Sequence, residues 1–401
     1  IGEKHWLKQA HLVKQDIQGH KYLKDYLLRR HSISFALTKY SSFIKRYKGI
    51  PPHELLNRDL YPAISFAAQT LSIYDNSSAQ QKKRFIRRIH GAFKNADEMR
   101  AMQLELLAAT HFVLRHYPVS WPEMDGNGNF DILVNDIGEA GLEIECKSIS
   151  SDKGKRIHDR ERNEFFDLTK KAIKSVSQGL NVGISVVMTL PKRLPSQHNE
   201  RKILAQRVCD QIIAAQDQSF SDGSNIRINE FDFNFINEHF KKNNSSISMD
   251  YINQVTNTTN QGAMIYGNKN GGGVVFVIQS QQDDLLLDSI FSLLAKSAKS
   301  QVTKTRPALF IVGLHDLASG ELREIAQQET NPNLPPTPLQ IRTSDYLNSF
   351  NRDHIIGVSF LDNGSLQKKE NGDVSSAGTA YAFKKDDSQY WHNDFSEIFQ
   401  Q

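Results

Sequence analysis

Phe130-Asp131-Ile132-Leu133-Val134 and Leu142-Glu143-Ile144-Glu145-Cys146-Lys147 read as two strands joined by a turn over residues 135–141. On a strand, side chains at i and i+2 share a face. Glu143, Glu145 and Lys147 therefore point one way, and Leu142, Ile144 and Cys146, together with Ile149, are expected to pack the other way. Asp131 stands at the start of the first strand, after the glycine- and asparagine-rich turn Asp125-Gly126-Asn127-Gly128-Asn129. Pairing of the two strands as a hairpin brings Asp131 toward Glu145. Two carboxylates a few Å apart repel unless a cation lies between them, and hard oxygen donors with room for water suit Mg²⁺ or Mn²⁺. Lys147, one alternation further on, is placed to offset charge on a phosphate or to orient an attacking water. The other reading of the same residues is an exposed strand whose Glu and Lys form cross-strand pairs.

Outward from this hairpin the pattern alternates. A helix over residues 96–116 ends at Tyr117-Pro118, where proline forbids continuation. A weak strand at 116–121, strands at 130–134 and 142–149, a helix at 160–178, a strand at 182–190 and a helix at 200–216 then predict an α/β layer with a mixed sheet. Within the first helix, Glu105 has Ala101, Met102, Ala108, Ala109 and Phe112 as its helical neighbours. A lone carboxylate in an apolar stripe is costly to bury unless it meets a partner such as a metal. Glu98, two turns earlier, is the fallback.

Asp131 followed by Glu145-Cys146-Lys147 resembles the D…(D/E)-x-K signature of the PD-(D/E)XK, or restriction-endonuclease-like, nuclease superfamily. The resemblance implies that Asp131 and Glu145 hold Mg²⁺ (or Mn²⁺) and that Lys147 assists hydrolysis of a phosphodiester. It also implies a helix-borne Glu completing the metal site, best matched by Glu105. The family's core order is helix, strand, strand, strand, helix, strand, and the reading of residues 96–190 is similar, with 116–121 as the first strand. Phe130 stands where a proline often precedes the Asp. The resemblance covers residues 96–190 and is silent on the flanks.

The expected fold is thus α/β: a mixed central sheet flanked by helices, with a restriction-endonuclease-like core at 96–218. A basic helical region at 1–95 precedes it, and an α/β extension or second lobe follows at 219–401. The expected activity is metal-dependent hydrolysis of nucleic acid, DNA ahead of RNA, in the manner of a restriction or anti-phage endonuclease. Two alternatives stand beside it: a binding module that keeps the fold without the chemistry, and a subunit whose nuclease works only with a partner. A homo-oligomer or a protein partner is compatible with either.

Charge supports the nucleic-acid reading. Residues 1–95 hold 18 Lys or Arg against 6 Asp or Glu, a net of +12, while the remaining chain is net −8 within a total of +4. Basic residues mix with aromatics at Lys45-Arg46-Tyr47-Lys48 and around Lys82-Lys83-Arg84-Phe85 with Arg87-Arg88. That mixture suits phosphate contact and stacking, and it equally describes a helical bundle. After Lys147, Lys153, Lys155, Arg156 and Arg160 are expected to hold substrate backbone. The opposite reading is a solvated loop, part-neutralised by Asp159 and Glu161.

Other classes lose support. Two cysteines, Cys146 and Cys209, make neither a disulfide framework nor a four-ligand zinc site and suit a reducing cytoplasm. No run approaches the ~20 apolar residues of a membrane span. Residues 1–10 hold Glu3, Lys4, Trp6 and Lys8 and no apolar signal core, so secretion is not expected; Ile1 in place of Met leaves room for residues upstream. Gly271-Gly272-Gly273 lacks the Gly-Lys-Ser/Thr of a phosphate loop, and there is no HExxH or G-x-S-x-G.

Overall fold

The computed structural model describes residues 2–49, 60–150, 152–234, 236, 249–259, 262–315, 317, 320–362, 366–368, 374–376 and 378–399. Helices α1 (Lys4–Gly19), α2 (Lys24–Arg30), α3 (Ser32–Tyr47), α4 (Tyr61–Asp75), α5 (Ala79–Ala92) and α6 (Ala96–Val113) come first. Asp75-Asn76-Ser77-Ser78, which reads as a helix breaker in the sequence, separates α4 from α5, and a capping box starts α5: Gln81 N–H donates to Ser78 Oγ while Ser78 N–H donates to Gln81 Oε1. Gly49-Ile50-Pro51-Pro52 reads as a second helix breaker, and its residues 50–52 lie outside the described residues. Asn95 caps α6 by accepting from Asp97 N–H at 3.0 Å.

Next come β1 (Val119–Ser120), the short helix α7 (Pro122–Asp125), β2 (Ile132–Val134) and β3 (Leu142–Ile149). Then follow α8 (Asp159–Gln178), β4 (Gly183–Leu190), α9 (His198–Ala214), β5 (Gln218–Ser219), β6 (Asn225–Phe231), α10 (Met249–Thr256), β7 (Ala263–Gly267) and β8 (Gly273–Ser280). The chain continues through α11 (Leu286–Ser300), β9 (Ala308–Leu314), α12 (Glu321–Glu329) and α13 (Pro338–Leu347). It closes with β10 (Ile355–Asp362), β11 (Leu366–Lys368), β12 (Val374–Ser376) and β13 (Ala380–Lys384). Among the described residues no helix is long and apolar enough to cross a membrane.

The strands form two mixed sheets, ordered β1-β2-β3-β9-β10-β13 and β5-β6-β4-β8-β7, and a separate β11-β12 pair. The chain divides into two compact units accordingly. The first comprises Ile1–Lys14, Leu28–Lys153 and Leu285–Gln401; the second comprises Gln15–Leu27 and Gly154–Asp284.

These units cut across the segments expected from the sequence. The helix at 160–178 and the strand at 182–190, expected in one α/β layer with the 142–149 strand, belong to the second unit and its separate sheet. The strand that pairs with β3 is β9, in parallel, with Glu143 opposite Ala308, Glu145 opposite Phe310 and Lys147 opposite Val312. Parallel strands need a crossover, and here that crossover contains the whole 154–284 segment as well as α11. Arg156 ties the two ends of that segment together. Its N–H donates to Asp284 Oδ1 at 2.8 Å and its Nε to the Asp283 carbonyl at 3.1 Å.

In the first unit the six-stranded sheet has a core on each face. One holds Ile132, Val134, Leu142, Ile144, Cys146, Leu309 and Ile311 against Ile33, Leu37, Phe66, Phe85, Ile89 and Phe112. The basic helices expected as a separate 1–95 region thus share a core with the hairpin. The other holds Ile149, Phe310, Val312, Val358 and Phe360 against Phe291, Leu294 and Ala298 of α11. Ile149, expected with Ile144 and Cys146, packs on the opposite face, as its odd position on the strand requires.

In the second unit α8 and α9 pack against β4 and β8 through Phe165, Phe166, Ile173, Val208, Val186 and Phe276. Strand β7 falls in residues 255–273, which are rich in Asn, Thr, Gln and Gly and have little regular pattern in the sequence, and β6 begins at Asn225, where a polar stretch from residue 219 ends. Residues 241–248, which read as a polar loop in the sequence, lie outside the described residues.

The β2–β3 turn depends on Gly141. Its φ is +76°, and a Cβ there would lie 2.8 Å from the Val134 carbonyl oxygen. Gly141→Ala is expected to cost about 2 kcal/mol, from left-handed strain and this clash. Urea unfolding followed by circular dichroism measures it; an unchanged midpoint would mean that the turn does not hold the hairpin.

Candidate active site

Strand β3 is interior, flanked by β2 and β9, and its polar residues are therefore buried rather than set on an open face. Both Glu143 and Glu145 are 0% exposed, which removes the exposed-strand reading. The antiparallel register pairs Ile132 with Ile144 and Leu133 with Glu143. One step further along it, Asp131 faces Glu145. Asp131 Oδ2 accepts the Cys146 N–H at 2.7 Å, closing the ladder with a side chain where the backbone pairing stops.

Lys147 folds back along its own strand. Its Nζ donates to Glu145 Oε1 and, at 2.9 Å, to Oε1 of Gln301, the residue that follows α11. Glu145 Oε2 is buried with no hydrogen-bond partner. Glu143, on the same face, serves a different purpose. Its carboxylate accepts Thr303 N–H at 2.8 Å and the Thr303 hydroxyl at 2.5 Å, pinning the turn between α11 and β9.

From the other side of the sheet, α6 brings Glu105, which is buried and paired at 2.5 Å with Arg88 of α5. Arg88 also faces Glu123 of α7 at 3.9 Å, a distance of charge attraction rather than hydrogen bonding. Glu98 is exposed and held by Asn95 Nδ2 at 3.2 Å, so Glu105 is the helix-borne carboxylate of this cluster.

The electrostatics follow from burial. Desolvation, then the Asp131 charge, push Glu105 up to about 8 against the pull of Arg88. Desolvation and Asp131 push Glu145 up to about 8 as well, against the pull of Lys147. Burial also raises Asp131, opposed first by the Cys146 N–H. The Cys146 thiol is raised by burial and by the three carboxylates around it, so it is no nucleophile. Glu105, Glu123, Asp131 and Glu145 thus gather around Arg88 and Lys147, a formal excess of two negative charges when all are ionised.

Among the described residues, no three Asp, Glu, His or Cys side chains are grouped as ligands of one metal ion. The donor set still fits a hard divalent cation. Mg²⁺ is commonly held by one or two carboxylates, with waters and substrate phosphate completing the shell. Asp131 and Glu145, whose Oε2 has no hydrogen-bond partner, are the carboxylates that could serve as such a pair.

The loop residues expected to grip substrate have other partners. Lys155 pairs with Asp159 at 3.2 Å, Arg156 with the 283–284 turn, and Arg160 with Glu164 at 2.9 Å. Lys153 is exposed and belongs to the first unit, whereas the other three belong to the second.

Compared with known protein families, curated proteins and solved structures, the chain matches none.

Sequence reasoning grouped Asp131, Glu145, Lys147 and Glu105 but missed Gln301 and Glu123, and it saw Arg88 only as part of a basic run. Gln301 carries no local signal, since it meets Lys147 from 154 positions away. Arg88 had one: Arg84 lies one turn earlier and donates to the Met124 carbonyl, so that edge of α5 faces the turn before Asp131.

A buried carboxyl with a raised pKa makes alkali costly for the fold. An unfolded Glu titrates near its ordinary 4.5, whereas folded Glu145 keeps its proton up to about 8. The stability that the protonated form contributes is complete below the lower value and lost as pH rises through the upper one. Glu145→Gln is therefore expected to match the native chain in Tm near about pH 5 and to exceed it by about pH 9. Superimposable Tm profiles would mean that Glu145 is solvated.

Proposed function

We propose that the chain hydrolyses phosphodiester bonds of nucleic acid with a divalent cation, Mg²⁺ or Mn²⁺, at Asp131 and Glu145. The observation that carries the reading is Asp131 opposite Glu145 across the β2–β3 hairpin, with Lys147 one alternation along the same interior strand. Support also comes from the order of elements in the first unit. Taken without residues 154–284, it runs α6, β1, β2, β3, α11, β9, with an antiparallel three-strand meander and then a parallel fourth strand. That order is similar to the helix, strand, strand, strand, helix, strand core that the PD-(D/E)XK resemblance implies, with residues 286–314 rather than 160–190 as its last helix and strand.

When bound, such a cation supplies Lewis-acid charge that acidifies water and offsets negative charge growing on the phosphoryl oxygens. The chain's own residues do the rest. Asp131 and Glu145 Oε2 bind and orient, with Asp131 steadied by the Cys146 N–H. Lys147, held by Gln301, keeps an ammonium beside the carboxylates, where it stabilises charge on the phosphate or orients the attacking water. Glu105 and Arg88 set the field on the far side of Asp131. DNA is the favoured substrate, and restriction or anti-phage defence the role most in keeping with a nuclease core carrying a large inserted unit.

The test is cleavage of plasmid, linear and single-stranded DNA, and of RNA, by purified chain with Mg²⁺, Mn²⁺ or EDTA. Asp131→Asn and Lys147→Ala are each expected to lower the rate at least about 100-fold while leaving the circular dichroism spectrum unchanged. Cleavage at the native rate by either variant would overturn the assignment.

A further inference from the structure

The site described above has a shortage of positive charge toward solvent. A phosphodiester backbone approaching four carboxylates is repelled unless a cation meets it, and the two side-chain cations bound to those carboxylates differ in access. Lys147 is 15% exposed and donates to both Glu145 and Gln301. Arg88 is 34% exposed, although the carboxylate it binds, Glu105, is only 5% exposed. The guanidinium therefore spans the boundary of the site, with Nη2 on a buried acid and Nη1 turned toward the half-exposed Glu123 at 3.9 Å.

A guanidinium carries five N–H donors in a rigid plane, matched to the paired oxygens of a phosphate. Glu105 takes one of them at close range. The local scaffold holds the rest in place. Phe85 and Ile89 anchor α5 in the core on either side of Arg88, and Arg84, one turn back, is fastened to the Met124 carbonyl in the helix that precedes the Asp131 turn. Such a group meets an anion without being reorganised.

We infer that Arg88 is a substrate-binding residue, its guanidinium bridging buried Glu105 to a non-bridging oxygen of a nucleic-acid phosphate beside Asp131. The inference rests on the phosphodiesterase reading and adds to it the group that receives the substrate backbone. It also separates one arginine of the basic Lys82–Arg88 run from its neighbours: Lys82 stacks on Tyr74 at 5.0 Å, Arg84 serves the loop, and Arg88 alone touches the carboxylate cluster among the described residues of that run.

The experiment measures binding without turnover. A fluorescently labelled oligonucleotide, single- and double-stranded, is titrated with the full chain carrying Asp131→Asn, in Ca²⁺ and in EDTA, over a range of salt. Adding Arg88→Met is expected to weaken binding about tenfold or more and to reduce the slope of log K against log salt by about 1. Because Arg88→Met alone leaves Glu105 buried and unpaired, the Arg88→Met/Glu105→Gln pair is measured as well. Its Tm is expected to recover while its affinity stays low. Native affinity and salt slope in that double variant would show that Arg88 only neutralises Glu105, and would overturn the inference while the cleavage result for Lys147→Ala still stood. Absence of oligonucleotide binding by the Arg88-containing chain would overturn both this inference and the phosphodiesterase reading.

Discussion

The organisation of the first unit rests on taking a carboxylate out of water in the middle of a sheet. Glu145 is buried because β9 pairs along one side of β3 and β2 along the other, with α11 laid across the face it occupies. An ionised group there costs several kcal/mol unless it is paired or neutralised. The surroundings answer that cost in three ways: Lys147 is bent back onto it, Gln301 holds Lys147, and the acid itself retains its proton well above the usual carboxylate range. Glu105 repeats the arrangement on the opposite face with Arg88. Under the proposed chemistry, a cation entering there would replace a proton and an internal pairing rather than a shell of free water.

Much of this was legible in residues 130–147. The period-two alternation of Leu142, Ile144 and Cys146 fixes the register of β3, and the register alone brings Asp131 opposite Glu145. Glu105 was legible for a similar reason, because a single acid among Ala101, Met102, Ala108, Ala109 and Phe112 is anomalous on a helix. The partner of β3 was not legible. A strand at 182–190 and a strand at 308–314 are both short, apolar and β-branched, and nothing local says which lies beside residue 145. The choice is made by tertiary packing, with β4 drawn into its own sheet by β6 and β8. The destination of Lys155, Arg156 and Arg160 was likewise hidden, since their partners Asp159, Asp283, Asp284 and Glu164 are local pairs or turn atoms that charge alone cannot rank against a phosphate.

The polar residues of β3 also show how closely structural and chemical duties can sit. Glu143 and Glu145 share a face and are equally buried, yet one is saturated by Thr303 and the other keeps an oxygen without a partner. Spacing treats them alike. What separates them is the turn between α11 and β9, which closes over the first and leaves the second open to Asp131.

The long excursion between β3 and β9 has a consequence for the order of events in synthesis. A nascent chain that has emerged only as far as α11 lacks β9, the strand that covers the far side of β3 and helps to bury Glu145. The excursion must close before the site exists, and the second unit eases that closure, because a folded insert with its ends tied at Arg156 replaces a long flexible loop and its entropy. Under the proposed chemistry, the chain gains its activity only after residue 314 has left the tunnel and β9 has paired with β3.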